Sequence, residues 1–210
     1  MKECLLALGS ALITTFSVAT SHTNNSLIPA VQYEDTAYTR IITERAGKIV
    51  AALGISDSSA FLRVRGFVAD QYRNLNTIYN DRDTANKDKK IAQLHGQYLA
   101  RLATVLTPLQ IDQVKDGMTY GVLPLTYRAY QEELPTLTEP QKAKILADLT
   151  EAREHAMDGG SSKEKHAWFG KYKGRINNYL SSQGYDMKKA GADWRRRISE
   201  KNDSSSPSQK

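Results

Sequence analysis

One cysteine, Cys4, occurs in the 210 residues. It lies ahead of an apolar stretch, Leu5 to Val18, with the make-up of a secretory signal peptide. Ser17-Val18-Ala19 offers a small-x-small cleavage site and Ser21 an alternative, so residues 1–21 are expected to be removed. Cys4 is misplaced for lipid attachment, and its loss leaves a mature chain without disulfides, thiol nucleophiles or thiolate metal sites. No later apolar run reaches the roughly 18 residues that span a bilayer. The mature chain is therefore expected to be periplasmic or secreted, without a transmembrane segment. Also missing are HExxH, a GxxxxGK[ST] phosphate loop and a GxSxG elbow, which argues against zincins, P-loop NTPases and serine hydrolases. No cofactor or metal site is expected, and no set of alternating strands is present.

Basic residues are present in excess, but only at one end. Residues 163–210 hold 12 Lys/Arg against 5 Asp/Glu, whereas residues 1–162 hold 17 against 18. A field of this sign favours acidic partners. In an exported protein these are acidic glycans or anionic surfaces rather than nucleic acid. The oligomeric state is not legible.

Helical periodicity begins after a polar lead-in from His22 to Gln32. Ile42, Ala46, Ile49, Val50 and Leu53 share a face that Gly54 ends. Asp57 or Ser58 caps a second helix with Phe61, Val64, Val68, Tyr72, Leu75 and Tyr79 inward. Ile91, Leu94, Tyr98, Leu102 and Val105 line a third. Thr107-Pro108 with Gln110, and Thr138 with Gln141, are capping boxes 31 residues apart. Between them Lys115 to Pro135 is punctuated by two glycines and two prolines within KDGMTYGVLPLTYRAYQEELP, which predicts a loop and a short helix over 125–133. The fold is expected to be all-α, a single-domain bundle of six or seven helices over 33–198, followed by a disordered tail at 199–210.

The stretch Gly159 to Tyr185 is the richest in chemistry. Ser161 and Glu164 start a helix, and Trp168, Phe169, Tyr172, Ile176, Tyr179 and Leu180 fall on one arc of roughly 120°. His166, Gly170, Lys173 and Asn177 run along one flank, and Arg175 lies at the other beside Trp168. Gly170 and Gly174 suggest a close approach by a helix or ligand.

TERAGKIVAALGI, LTPLQIDQVKDGMTYGV, LTEAREHAMDGGSSKEKHAWFGKYKGRINNYLSSQGY and the Trp194–Arg197 end resemble an uncharacterised family of exported Bacteroidota proteins. That family is a domain of unknown function, described as sugar-binding and found among polysaccharide-degradation genes. The resemblance covers about 36–197. It implies a compartment and a glycan context, and no mechanism.

The function expected is that of an exported carbohydrate-binding or accessory protein of polysaccharide utilisation, for an acidic glycan. Its candidate binding residues are His166, Lys173, Asn177 and Arg175, with Lys115, Asp116 and Tyr120 on the expected loop and the free N–H groups of the Gly159–Ser162 turn. A polysaccharide-active enzyme is the alternative, using Glu151, Glu154 or Asp116, with Asp158 a further candidate carboxyl and His155 four residues from Glu151. The two LTxxQ boxes also resemble a motif of small helical periplasmic chaperones, although capping alone accounts for them. Mass spectrometry of the exported protein is expected to show cleavage after Ala19 or Ser21; an intact Met1 or a lipidated Cys4 would overturn that.

Overall fold

The computed structural model describes residues 37–205. The expected signal peptide, the lead-in after it and residues 206–210 lie outside the described residues. Among the described residues there are eight α-helices and no strand: α1 Ala37–Ala51, α2 Ser58–Asn80, α3 Lys87–Ala103, α4 Pro108–Met118, α5 Val122–Glu133, α6 Glu139–Met157, α7 Ser162–Ser182 and α8 Met187–Ser205. The chain is all-α, with one helix more than the upper expectation. No helix among the described residues is long and apolar enough to cross a membrane.

Local chemistry sets the helix starts. Asp57 accepts a hydrogen bond from the Ser59 N–H at the start of α2. Thr107–Gln110 and Thr138–Gln141 form reciprocal capping boxes, each with a proline in the first turn. At α7 the device shifts by one residue. Ser161 Oγ accepts from the Glu164 N–H, but the Glu164 carboxylate reaches back to the Gly160 N–H at 2.8 Å.

Two apolar cores form. The first joins α1–α4, with Ile42, Val50, Val64, Val68, Tyr98, Leu102 and Val114 buried. The second joins α5–α8, with Leu123, Leu137, Ile145, Leu149, Phe169, Ile176 and Leu180 buried. Helix α6 belongs to both: Ile145, Leu149, Ala152 and Ala156 enter the second, and Met157 the first. It also buries Asp148 and Arg153, and it packs against α4, α5 and α7.

Three expectations are corrected. Lys115 and Asp116 are not on a loop, because α4 runs on to Met118. Gly117 interrupts nothing there: a Cβ would come within 2.9 Å of Ile49 Cγ2, so the glycine lets α1 close on α4. The connection shrinks to Thr119–Gly121, turned by left-handed Tyr120 (φ 61°) and Gly121 (φ 65°), and α5 starts three residues before the expected 125. Nothing lies within 4 Å of a Cβ placed on Gly170 or Gly174, so neither marks a close approach. The close approach is at Gly160, where a Cβ would come 2.5 Å from the Tyr79 ring. Finally, α8 is helical to Ser205, through most of the expected disordered tail. Arg197 anchors this helix by donating to the Glu132 and Glu133 carbonyls at the end of α5 (2.8 and 3.3 Å), and an Arg196–Glu200 pair supports its next turn.

The glycines generate a paired prediction. Gly170→Ala is expected to stabilise the protein by about 1 kcal/mol, because it adds helix propensity in open space. Gly160→Ala is expected to cost about 1–3 kcal/mol through overpacking against Tyr79. Urea unfolding checks both; a destabilised Gly170→Ala would mean that something does pack on that flank.

Candidate functional site

One side of α6 is neither core nor plain surface. Glu154, His155 and Asp158 project there from its last turns, and Trp168 joins them from α7. Facing them are Tyr79 at the end of α2 and Asp88, Ile91, Ala92 and His95 on α3. The open groove between the two sides has a volume of about 570 Å³. It adjoins a recess of about 440 Å³ to which Lys87, Glu164 and Lys171 add charge.

His95 lies between two carboxylates. Its Nδ1 is 2.7 Å from Asp158 Oδ2, and its Nε2 is 3.7 Å from Glu154 Oε2. The Asp158 hydrogen bond raises the His95 pKa, and the neighbouring carboxylate charges add to it against the opposing effects of burial and Lys115. Glu154 also accepts both its bonds from Lys115 Nζ, at 3.0 and 2.9 Å. The Tyr79 hydroxyl donates to the Asp158 carbonyl at 3.1 Å, which ties α2 to the turn before α7. His155 stacks on Trp168 with centroids 4.4 Å apart and planes inclined by 16°. Lysines lie over both aromatic residues of the groove: Lys171 Nζ is 4.9 Å from the Trp168 centroid and Lys87 Nζ 3.9 Å from that of Tyr79. The assembly offers ring surface, two imidazoles and three carboxylates in one recess, with two lysines in the adjoining one. Among the described residues no group of three His, Cys, Asp or Glu converges closely enough to hold a metal ion.

The expected site residues are distributed over several places. Glu154 and Asp158 are in the groove, with His155. Lys115 reaches its edge through Glu154. Asp116 turns away to Arg153, at 2.9 Å. Glu151 is exposed and paired with Arg175 at 3.1 Å, and Arg175 also approaches Asp148. The stripe expected on α7 divides. Lys173 and Asn177 line a separate groove of about 480 Å³ against Leu125, Tyr130, Glu133 and Met187. There Asn177 Oδ1 already accepts the Tyr130 hydroxyl at 2.7 Å. His166 instead stacks on Tyr120, 5.6 Å between centroids. Trp168, placed on the core arc by its spacing, is only half-buried and walls the groove.

His95 and Lys165 escaped the sequence reading. His95 sits one residue from the apolar Leu94 on a helix with few buried positions, and nothing local marks its partner 63 residues away. Lys165 lies four residues before Phe169 on the buried side of α7, a register that periodicity does reveal, but a lysine there reads as surface.

The family model described as "Protein of unknown function (DUF3826)" matches residues 39–91 and 82–200. No curated protein matches the chain in sequence.

The His95 pairing has a pH signature. Its folded pKa is raised, so its contribution to stability is complete below the unfolded value of about 6.5 and is lost as pH rises through the folded value. Denaturant unfolding of wild type and His95→Gln between pH 5.5 and 8 is expected to show the wild-type advantage shrinking as pH rises. A pH-independent difference would mean that the imidazole is not held by charge.

Proposed function

The chain belongs to the DUF3826 family, whose description assigns no activity, and from the groove itself we propose that the protein binds carbohydrate between α2–α3 and α6–α7, with a preference for acidic glycans. The observation that carries this reading is the convergence of Trp168 and Tyr79 with His95, Glu154, His155 and Asp158 in one open recess of about 570 Å³. Sugars present apolar ring faces and a rim of hydroxyls, and this lining supplies aromatic surface together with donors and acceptors. The acidic preference rests on Lys87 and Lys171, which cover the two ring systems. A uronate carboxylate would draw both ammonium groups off the rings and open the faces for stacking.

A second reading is favoured by one observation, the position of His95 between Asp158 and Glu154. An imidazole bonded to one carboxylate at Nδ1, with a second 3.7 Å from Nε2, can hold and pass a proton. Of the carboxylates expected to act in an enzyme, Glu154 and Asp158 lie in this groove, and Glu151 and Asp116 do not. If catalysis occurs, Glu154, His95 and Asp158 carry it, and Glu151 and Asp116 do not.

A glycan array, followed by calorimetry on the hits, tests the proposal. Acidic glycans are expected to bind, and Lys87→Ala combined with Lys171→Ala to weaken them by about 1–3 kcal/mol with an unchanged fold. Product analysis with His95→Gln as control reports on catalysis. Binding that survives the lysine pair but is lost in Lys173→Ala would move the site to the groove beside Tyr130. No binding to any glycan would overturn the proposal.

A further inference from the structure

On the far side of the Asp158–Ser161 turn from the groove is a small, partly open pocket between α1, α2 and the start of α7, about 140 Å³ in volume. Tyr38, Arg45, Tyr72, Tyr120 and Lys165 line it. Lys165 is 4% exposed. Its ammonium donates to the Met157 and Met118 carbonyls at 3.0 and 3.3 Å, which leaves one of its three hydrogens over. No carboxylate among the described residues comes within ion-pairing distance of it. Asp158, whose charge acts on Lys165, is bonded to His95 and Gln71, and Glu164 is bonded to the Gly160 N–H. Arg45, on the same pocket, has its guanidinium 5.4 Å from the Tyr72 centroid and forms no ion pair among the described residues.

Two cationic residues therefore line one recess whose walls carry no carboxylate, with the Tyr72 ring centroid 5.7 Å from the Lys165 ammonium. Burying an ammonium costs several kcal/mol unless an opposite charge offsets it, and neutral carbonyls offset only part of that. A pocket of about 140 Å³ is several times the roughly 30 Å³ share of one water, which suits a single charged group rather than a sugar chain. Tyr120, held at positive φ on its rim, adds an exposed hydroxyl-bearing ring.

We propose that this pocket is a second binding site, in which Lys165 and Arg45 together take one small oxyanion group, a carboxylate or a sulfate. Sulfate and carboxylate are the charged substituents of acidic polysaccharides, but the site does not depend on the groove reading, since its ligand is recognised by charge and size alone. Burial, opposed by Asp158 and reinforced by Arg45, lowers the Lys165 pKa to about 8; of the tyrosines on the pocket, Tyr38 already donates its hydroxyl to the Tyr72 carbonyl. Occupancy by an anion favours the charged lysine, so binding is strongest below that value and fades as pH rises through it.

The test uses inorganic sulfate and acetate on the purified protein, with sodium chloride at matched ionic strength as the reference. Wild type, Lys165→Met and Arg45→Gln are compared by isothermal calorimetry and thermal unfolding at pH 6.5 and 9.5. Wild type is expected to show saturable binding of at least one anion at pH 6.5, weakened tenfold or more at pH 9.5. Both variants are expected to lose it and to keep only the general, non-saturating effect of sulfate on protein stability. Lys165→Met removes a buried charge at nearly constant volume but also the donor to the Met118 and Met157 carbonyls, so its melting temperature is expected to shift little. If it does not fold, Arg45→Gln on the exposed rim decides. Equal responses in wild type and Arg45→Gln, or no saturable binding by either anion, would overturn the proposal and leave Lys165 as a tie between two carbonyls. Because no glycan is used, failure here leaves the groove untouched.

Discussion

The structure depends on keeping charge inside α6. Arg153 is 5% exposed, and its guanidinium is held by Asp112 at 2.6 Å and Asp116 at 2.9 Å, both from α4. One turn and a half earlier Asp148 is equally buried and takes Lys144 at 2.6 Å, with Arg175 of α7 at 3.4 Å. Asp112 and Asp116 of α4 and Arg175 of α7 tie these helices to α6, so register along α6 is set by ion pairs as well as by apolar fit, while Lys144–Asp148 lies within α6 itself. Removing one partner of such a pair costs about 3–5 kcal/mol, because the other charge is left in a poor solvent. The burial of Ile145 and Leu149, worth about 1.5–3 kcal/mol each, is what makes this placement of charge tolerable.

The groove follows from the same arrangement. With one side of α6 in the second core and Arg153 turned to α4, the remaining side of its last turns faces α3. Glu154, His155 and Asp158 occupy that side, and α3 supplies His95 to meet them. Tyr79 then closes the end by resting on Gly160 and bonding the Asp158 carbonyl. Polar groups that would be solvated on an ordinary surface helix are partly enclosed here and hold one another in position.

Element identity was legible in the residues wherever capping chemistry was strong. Thr107–Gln110, Thr138–Gln141 and Ser161 stand at the starts they predict, and the apolar faces of α1, α2 and α7 are nearly those read from spacing. Glycine misled twice, in opposite senses. Gly117 resembles a breaker but is a helical contact point for Ile49, whereas Gly170 and Gly174 resemble contact points but stand in open space. Spacing alone does not separate these cases, because what decides them is the neighbour across the contact. The candidate site was legible only in part. Glu154, Asp158 and His155 lie within five residues and could be read together, but His95 and Tyr79 reach them through pairings 63 and 79 residues long. Lysine and arginine at buried positions were the other blind spot, since Arg153 and Lys165 are buried although their residue type reads as surface.

Helix α6 contributes to both apolar cores, and this bears on how the molecule comes apart. The first core is assembled almost wholly from residues between α1 and α4, the second from residues between α5 and α8. Such a division would ordinarily allow each half to melt on its own. Here Met157 plugs the first core from a helix whose preceding turns fill the second, and Arg153 and Glu154 are bolted to α4. Opening either half therefore exposes part of the other. Cooperativity in this chain is a property of one shared helix, and the two halves unfold as a single unit.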